Sequence, residues 1–322
     1  MAFSVPDHWD WDFWLADDGR TFHLFFLHAP HSLGDPGLRH RNARIGHATS
    51  SDLKHWTFHG RTFDAGPPGT FDGSATWTGS VTRGPDGLWR MFYTGARFPS
   101  ETAITNIESV GLATSPDLWT WTKRPGPILT ADPRWYETLG TSTWPEEAWR
   151  DPWVYPDPSG DGWHMLITAR ANAGDDAGRG VIGHAISSDL DTWQVTAPLS
   201  RPQSGFGHLE VPQLVNIAGR YLLVFCCNSP RLANARVGQM GGIWVAPSAG
   251  PAGPFDIQRS ELMLDEQYYA GRLVQGRSGD WFLLAFEMNA PGRPFQGRIS
   301  DPMPVGMDGE RLVLRGRAEA TT

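Results

Sequence analysis

Three short segments place a carboxylate among aromatic residues with few neighbouring charges. They are Trp9-Asp10-Trp11-Asp12-Phe13-Trp14, Trp149-Arg150-Asp151-Pro152-Trp153 and His208-Leu209-Glu210-Val211-Pro212. Like charges brought into one pocket repel, and burial disfavours the ionised form, so such a set should contain at least one carboxyl of raised pKa. Two carboxyls of different protonation suit glycoside chemistry. One protonates the leaving oxygen, and the other attacks the anomeric carbon or activates water. A third can stabilise oxocarbenium-like charge. Asp12, Asp151 and Glu210 are the catalytic residues this reading expects. Asp10 competes with Asp12, because both would face the same way along a straight strand; Asp12 is preferred.

The elements that must position these residues are legible as a repeat. Ile45-Gly46-His47-Ala48-Thr49-Ser50-Ser51-Asp52-Leu53-Lys54-His55-Trp56 matches the segment from Val110 to Trp121 and, more closely, that from Ile182 to Trp193. A degenerate copy runs from Gly242 to Phe255. Each full copy reads as a short strand, a Ser-x-Asp-Leu turn in which Ser and Asp bond nearby backbone N–H groups, and a Trp that packs back. Gly46 to Gly111 is 65 residues and Gly111 to Gly183 is 72, enough for a four-stranded blade with loops. Five turn-plus-apolar-strand units precede these copies, beginning at Asp18, Asp86, Asp161, Ala218 and Gly279. Five units predict an all-β protein, a single-domain five-bladed β-propeller over residues 1–322, with Glu310-Arg311-Leu312-Val313-Leu314 as a closing strand. In such a ring the first strand of each blade lines the axis, and the three carboxylates fall on first strands at about the same depth. The stretches 99–129 and 130–148 read as insertions that rim a site.

Composition excludes other classes. The chain has 322 residues, 37 Gly, 26 Pro, 16 Trp and 16 Phe, which favours turns and aromatic strands. Its formal charge of −8, without a Lys/Arg run, argues against nucleic acid as a partner. No apolar window is long enough for a membrane span. Cys226 and Cys227 are adjacent and point to opposite faces of a strand, which suits a reducing setting. With no leader pattern at Met1–His8, a cytoplasmic location is expected. No cofactor is called for, and His28, His31 and His40 lack a metal-ligand spacing. His47 and His184 recur at one blade position and read as structural, as does Arg170. The expected partner is a small carbohydrate; the oligomeric state is left open.

Trp11-Asp12-Phe13-Trp14, Arg150-Asp151-Pro152 and Glu210-Val211-Pro212 together resemble the three signatures of glycoside hydrolase families 32 and 68, the β-fructosidases and levansucrases. Trp77-Thr78-Gly79-Ser80 and Tyr268-Tyr269-Ala270 resemble further segments of those families. The resemblance implies a five-bladed propeller, with Asp12 as nucleophile, Asp151 as transition-state stabiliser and Glu210 as acid/base in a retaining mechanism. It also implies that Trp11, Trp14, Trp77, Ser80, Arg150, His208, Tyr268 and Tyr269 hold the sugar. The sequence departs from the pattern in lacking the invertase Trp-x-Asn-Asp-Pro-Asn-Gly motif and residues for a C-terminal β-sandwich. A small fructoside or related furanoside is therefore expected. The rival readings are an inverting pentosidase like family 43, a non-catalytic sugar-binding propeller and a glycoside phosphorylase.

Overall fold

A computed structural model describes residues 2–289 and 295–316. The chain folds into five antiparallel sheets. Blade one comprises β1 (His8–Asp17), β2 (Phe22–Pro30), β3 (Arg44–Ser50) and β4 (Thr57–Phe63); blade two comprises β5 (Ala75–Arg83), β6 (Trp89–Arg97), β7 (Ile107–Ser115) and β8 (Thr122–Lys123). Blade three holds β9 (Trp149–Pro156), β10 (Trp163–Arg170), β11 (Gly180–Ser187) and β12 (Gln194–Thr196), and blade four β13 (Glu210–Ile217), β14 (Arg220–Cys227), β15 (Gly242–Ser248) and β16 (Glu261–Asp265). Blade five is built from β17 (Tyr268–Gln275), β18 (Trp281–Glu287), β20 (Met303–Asp308) and β21 (Arg311–Leu314), with β19 (Arg298–Ile299) also paired to β18. Each sheet is ordered by sequence. The first strands β1, β5, β9, β13 and β17 contact one another in turn around the axis. This is the five-bladed propeller the repeat predicts.

Of the expected closing segment 310–314, Arg311–Leu314 forms the outermost strand of blade five. The seam between blades five and one is tied instead from the N-terminal side. Phe3 exchanges backbone hydrogen bonds with Ile299 (2.7 and 2.9 Å), and Asp10 N–H donates to Gly297 O at 2.8 Å.

The repeated turn has a clear physical basis. Asp52, Asp117 and Asp189 each accept from the backbone N–H groups two and three residues on, at 2.7–2.9 Å. The preceding Ser hydroxyl accepts from the Asp N–H in all three copies. These bonds hold Leu53, Leu118 and Leu190 at φ of 65°, 68° and 68°. That conformation costs a leucine about 1–2 kcal/mol. Several hydrogen bonds at about 1 kcal/mol each, with burial of the leucine side chain at about 1.5–3 kcal/mol, offset it. The Trp that follows cements the neighbouring blade rather than its own. Trp121 meets Phe25 of blade one edge-on at 5.7 Å, and Trp193 meets Phe92 of blade two at 5.5 Å. The repeated glycine of the third strand lets a second-strand ring lie on the backbone: a Cβ at Gly46 would stand 2.6 Å from Phe26 Cζ.

Candidate active site

Every first strand carries a β-bulge near the axis. In β1 the register passes from Trp11 opposite Leu27 to Phe13 opposite Phe26, so Asp12 is the extra residue. In β5 the extra residue is Thr78. In β9, β13 and β17 two residues oppose one, at Asp151-Pro152, Val211-Pro212 and Ala270-Gly271. A straight strand would send consecutive side chains to opposite faces; a bulge lets two in a row turn toward the axis. The result is two tiers. Trp11, Trp77, Arg150, Glu210 and Tyr269 precede the bulge, and Asp12, Thr78 and Asp151 sit at it. All eight line one cavity of about 780 Å³. Asp151, Val211 and Ala270 hold φ of 59°, 53° and 49°, a conformation non-glycine residues adopt at a cost of about 1–3 kcal/mol and which concentrates at functional sites.

The tiers correct the expectation of equal depth. Asp12 and Asp151 occupy equivalent bulge positions, whereas Glu210 lies one residue earlier, in the tier of Arg150 and Tyr269. The bulge also separates Asp10 from Asp12, and only Asp12 lines the cavity. Asp10 is fully buried away from the cavity and accepts from Val5 N–H at 2.6 Å. Burial, opposed by that bond, lifts its pKa to about 8.

Each catalytic candidate is fixed by partners from a neighbouring blade. Asp12 Oδ2 accepts from Thr78 Oγ1 at 2.7 Å. Asp151 Oδ2 accepts from Thr168 Oγ1 (2.8 Å) and Val211 N–H (3.0 Å), while its own N–H donates to Thr94 Oγ1. Glu210 Oε1 accepts from Arg150 Nη2 at 2.8 Å and Oε2 from Tyr269 OH at 2.6 Å. Arg150 is enclosed by carboxylates. Its Nη1 donates to buried Glu108 at 3.0 and 3.1 Å and lies 3.1 Å from Glu146. Most of its donors are thus held by the protein's own acids.

These surroundings push the carboxyls apart. Burial, reinforced by the charges of Asp151 and Glu210, lifts Asp12 to about 7, against the Thr78 bond and the charge of Arg39. Burial also raises Asp151, opposed chiefly by Arg150. Burial would raise Glu210 too. The charges of His208 and Arg150 and the Tyr269 hydroxyl outweigh it and bring Glu210 to about 2. Burial drops His208 itself to about 4, so near neutrality Arg150 and Tyr269 carry the effect.

Past the bulge of β17 a buried guanidinium ties three blades together. Arg272 of β17 is 1% exposed, donates to Phe13 O, Val211 O and Pro212 O, and stacks over Trp153. The cavity's polar lining includes four groups with buried atoms that have no hydrogen-bond partner: Arg39 Nε, Asn106 Oδ1, Asn228 Oδ1 and both ring nitrogens of His208. His208 Nε2 lies 3.2 Å from Glu210 Oε2 without hydrogen-bond geometry. Groups of this kind are costly until a ligand supplies partners. A second cleft, of about 770 Å³, lies between the outer strands of blades four and five; it is lined by ion pairs such as Arg220–Glu310 and gathers no comparable set.

Of the expected sugar-binding residues, Trp11, Trp77, Arg150, His208 and Tyr269 line the cavity. Trp14, Ser80 and Tyr268 do not. Trp14 is fully buried and stacked on Phe25, further along β1 than the cavity-lining residues. Ser80 is buried and accepts from Val154 N–H, joining blades two and three. Tyr268 lies one residue before the tier and pairs with Glu287. Sequence reasoning missed Thr78, Arg39, His40, Glu108, Glu146, Arg231 and Arg272. Glu108 and Arg272 did carry a signal: each is a lone charge within an otherwise apolar or small strand segment. Trp144, from the second insertion, is stacked between Arg170 (3.7 Å) and Arg231 (4.2 Å) and meets His208 edge-on. Arg170, buried on Glu137, has the structural role expected of it.

A sequence profile of the glycosyl hydrolases family 32 N-terminal domain matches residues 15–290. The chain belongs to this family. The matched span begins just after Asp12 and includes Asp151 and Glu210. Within family 32 the chain is similar to β-fructofuranosidase 1 of Zea mays, 31% identical over 122 residues, 37% of this chain and 18% of that protein. It is similar to fructan 6-exohydrolase of Triticum aestivum, 25% identical over 258 residues, 78% of this chain and 37% of that one. The chain thus aligns with well under half the length of these curated relatives. Among solved structures it resembles inulosucrase from Halalkalicoccus jeotgali bound to kestose, with a TM-score of 0.82, 22% identity, and coverage of 98% of this chain and 90% of that one. Levansucrase of Bacillus subtilis gives a TM-score of 0.74 at 14% identity, over 99% and 88% of the two chains. At these identities the likeness establishes the fold. No helix among the described residues is long and apolar enough to cross a membrane.

Proposed function

We propose that this protein cleaves a small β-fructoside with retention, through a covalent fructosyl-Asp12 intermediate. The observation that carries the reading is the two-tier ring, which brings Asp12, Asp151 and Glu210 from three blades to one cavity. In the first step an Asp12 carboxylate oxygen bonds to the anomeric carbon, the bond to the leaving oxygen breaks, and that oxygen takes the proton of Glu210. In the second step Glu210, now a carboxylate, takes a proton from water as the water oxygen bonds to the anomeric carbon and frees Asp12. A sugar hydroxyl in place of water gives transfer rather than hydrolysis. Asp151 is held by Thr168 and Val211 and, in its ionised form, stabilises the developing oxocarbenium charge.

The reaction needs Asp12 ionised and Glu210 protonated. The free site favours the reverse, with Asp12 at about 7 and Glu210 at about 2. The reactive form is then a minor tautomer of the singly protonated pair. A substrate favours it where it excludes water over Glu210 and draws on Arg150.

The test incubates the purified protein with sucrose, short β-2,1 and β-2,6 fructo-oligosaccharides, aryl arabinofuranosides and aryl xylosides, following products by NMR. Early β-fructofuranose, with rates down at least about 100-fold in Glu210→Gln and Asp12→Asn, is expected. Inverted first products, or pentosides as the sole substrates, would overturn the reading.

A further inference from the structure

We propose that Trp144 is a positioning residue for the leaving half of the substrate: it holds Arg231, His208 and Glu146 as one wall on the Glu210 side of the cavity. This rests on the fructoside reading above and adds what receives the second half of the substrate.

Trp144 lies in the insertion before β9 and does not itself line the cavity, yet it touches three residues that do. One face of its ring carries the Arg231 guanidinium at 4.2 Å. Its edge meets His208, with ring centroids 5.9 Å apart. Its Nε1 donates to Glu146 Oε1 at 3.3 Å. The Arg231 guanidinium has no hydrogen-bond or ion-pair partner among the described residues, so the indole is what orients it. A long, flexible arginine held by its face keeps its N–H donors for a ligand.

The indole is itself fixed. Its other face lies 3.7 Å from the guanidinium of Arg170, which is 1% exposed and donates to Glu137, Gly207 O and Asp176 O. Trp144 N–H donates to Ser142 Oγ, and that hydroxyl donates to Glu137. Thr143 is tied to Asp176 through its N–H and its hydroxyl. Gly207, just before His208, leaves room for the ring: a Cβ there would stand 3.2 Å from Trp144 Cη2. A buried post thus carries the wall from behind. Glu210 gives its proton to the leaving oxygen, so the leaving half lies on this side. Groups already held in place lose less freedom when a substrate binds than loose ones do. The order of the wall should therefore show in how the leaving half is recognised, and not in how the fructosyl half is.

The experiment compares sucrose with methyl β-fructofuranoside, whose leaving half has no hydroxyl beyond the scissile oxygen. It measures kcat/KM for the wild type, Trp144→Leu, Trp144→Phe and Arg231→Ala, with urea midpoints beside them. Leucine fills part of the space but offers no π face. The sucrose-to-methyl ratio should fall about three- to thirtyfold in Trp144→Leu, the range one cation–π contact spans, and by a similar factor in Arg231→Ala. Trp144→Phe keeps a ring between the two guanidinium groups and should recover most of the ratio. Both substrates falling together in Trp144→Leu, or a lower urea midpoint with the ratio unchanged, would overturn the proposal. Arg231 is half-exposed, so Arg231→Ala decides even where Trp144→Leu does not fold: an unchanged ratio in it also overturns the proposal. Calorimetry of both glycosides with the Asp12→Asn protein, with and without Trp144→Leu, reads the wall without turnover. If the wild type cleaves neither glycoside while the binding ratio still falls with Trp144→Leu, the fructosidase reading fails and the wall stands. If neither glycoside binds, both fail.

Discussion

Two single hydroxyls tune a proton inventory that burial and the neighbouring charges set. Thr78 donates to Asp12 and Tyr269 to Glu210. With Glu210 at about 2 and Asp12 at about 7, the free protein carries one shared proton between these limits, and kcat/KM should fall above about pH 7. Thr78→Val keeps the shape and removes the bond that favours the Asp12 carboxylate. Asp12 should then lose its proton at higher pH, and the upper limb should move up. Tyr269→Phe acts on the other acid. It raises Glu210, so the lower limb should move up while the upper one stays. Profiles of kcat/KM against pH for the two variants check this. Shifts of the same limb in both, or of neither, would mean that the two carboxyls do not share the proton in this way.

At the scale of the strand and turn, the repeat explains both what was legible and what was not. Asp189 serves as a capping hub, accepting from Asp191 N–H, Thr192 N–H and Ser187 Oγ while Leu190 is held at positive φ. Asp189→Ala should lower stability by about 1–3 kcal/mol, read as a lower urea midpoint, with kcat/KM unchanged because the turn lies at the far end of β11 from the cavity. A changed kcat/KM at unaltered stability would contradict that separation. Such turns are visible in sequence because Ser, Asp and Leu each have a local task there. Blade number, strand order and the three carboxylates on first strands could be read the same way. The bulges could not. No residue type marks the extra position in β1 or β5, where Asp12 and Thr78 sit in otherwise alternating strands. Strict alternation puts Asp10 and Asp12 on one face; the one extra residue in β1 separates them and leaves only Asp12 in the cavity. Arg39, Glu146 and Trp144 reach the site from loops, where no periodicity announces direction.

For the whole ring the decisive residue is the one at its axis. Arg272, on β17 of blade five, donates to Phe13 of blade one and to Val211 and Pro212 of blade four, so one guanidinium spans three blades. It makes no hydrogen bond to Asp12 or Asp151 but is close enough for each to hold its charge against burial, which brings the guanidinium down to about 10. Removing it therefore has two separable consequences. Arg272→Met fills similar space, yet strands three buried carbonyls at roughly 1–3 kcal/mol each, so the unfolding midpoint should fall markedly. It also removes the positive charge beneath two raised carboxyls, so Asp12 should ionise only at higher pH and the upper limb of kcat/KM should move up. Arg272→Lys keeps a charge but offers a single ammonium, which cannot meet carbonyls on two sides at once. It should recover more of the pH profile than of the stability. If Lys instead restored stability and left the profile shifted, the axial arginine would act on the carboxyls through blade geometry and not through its charge.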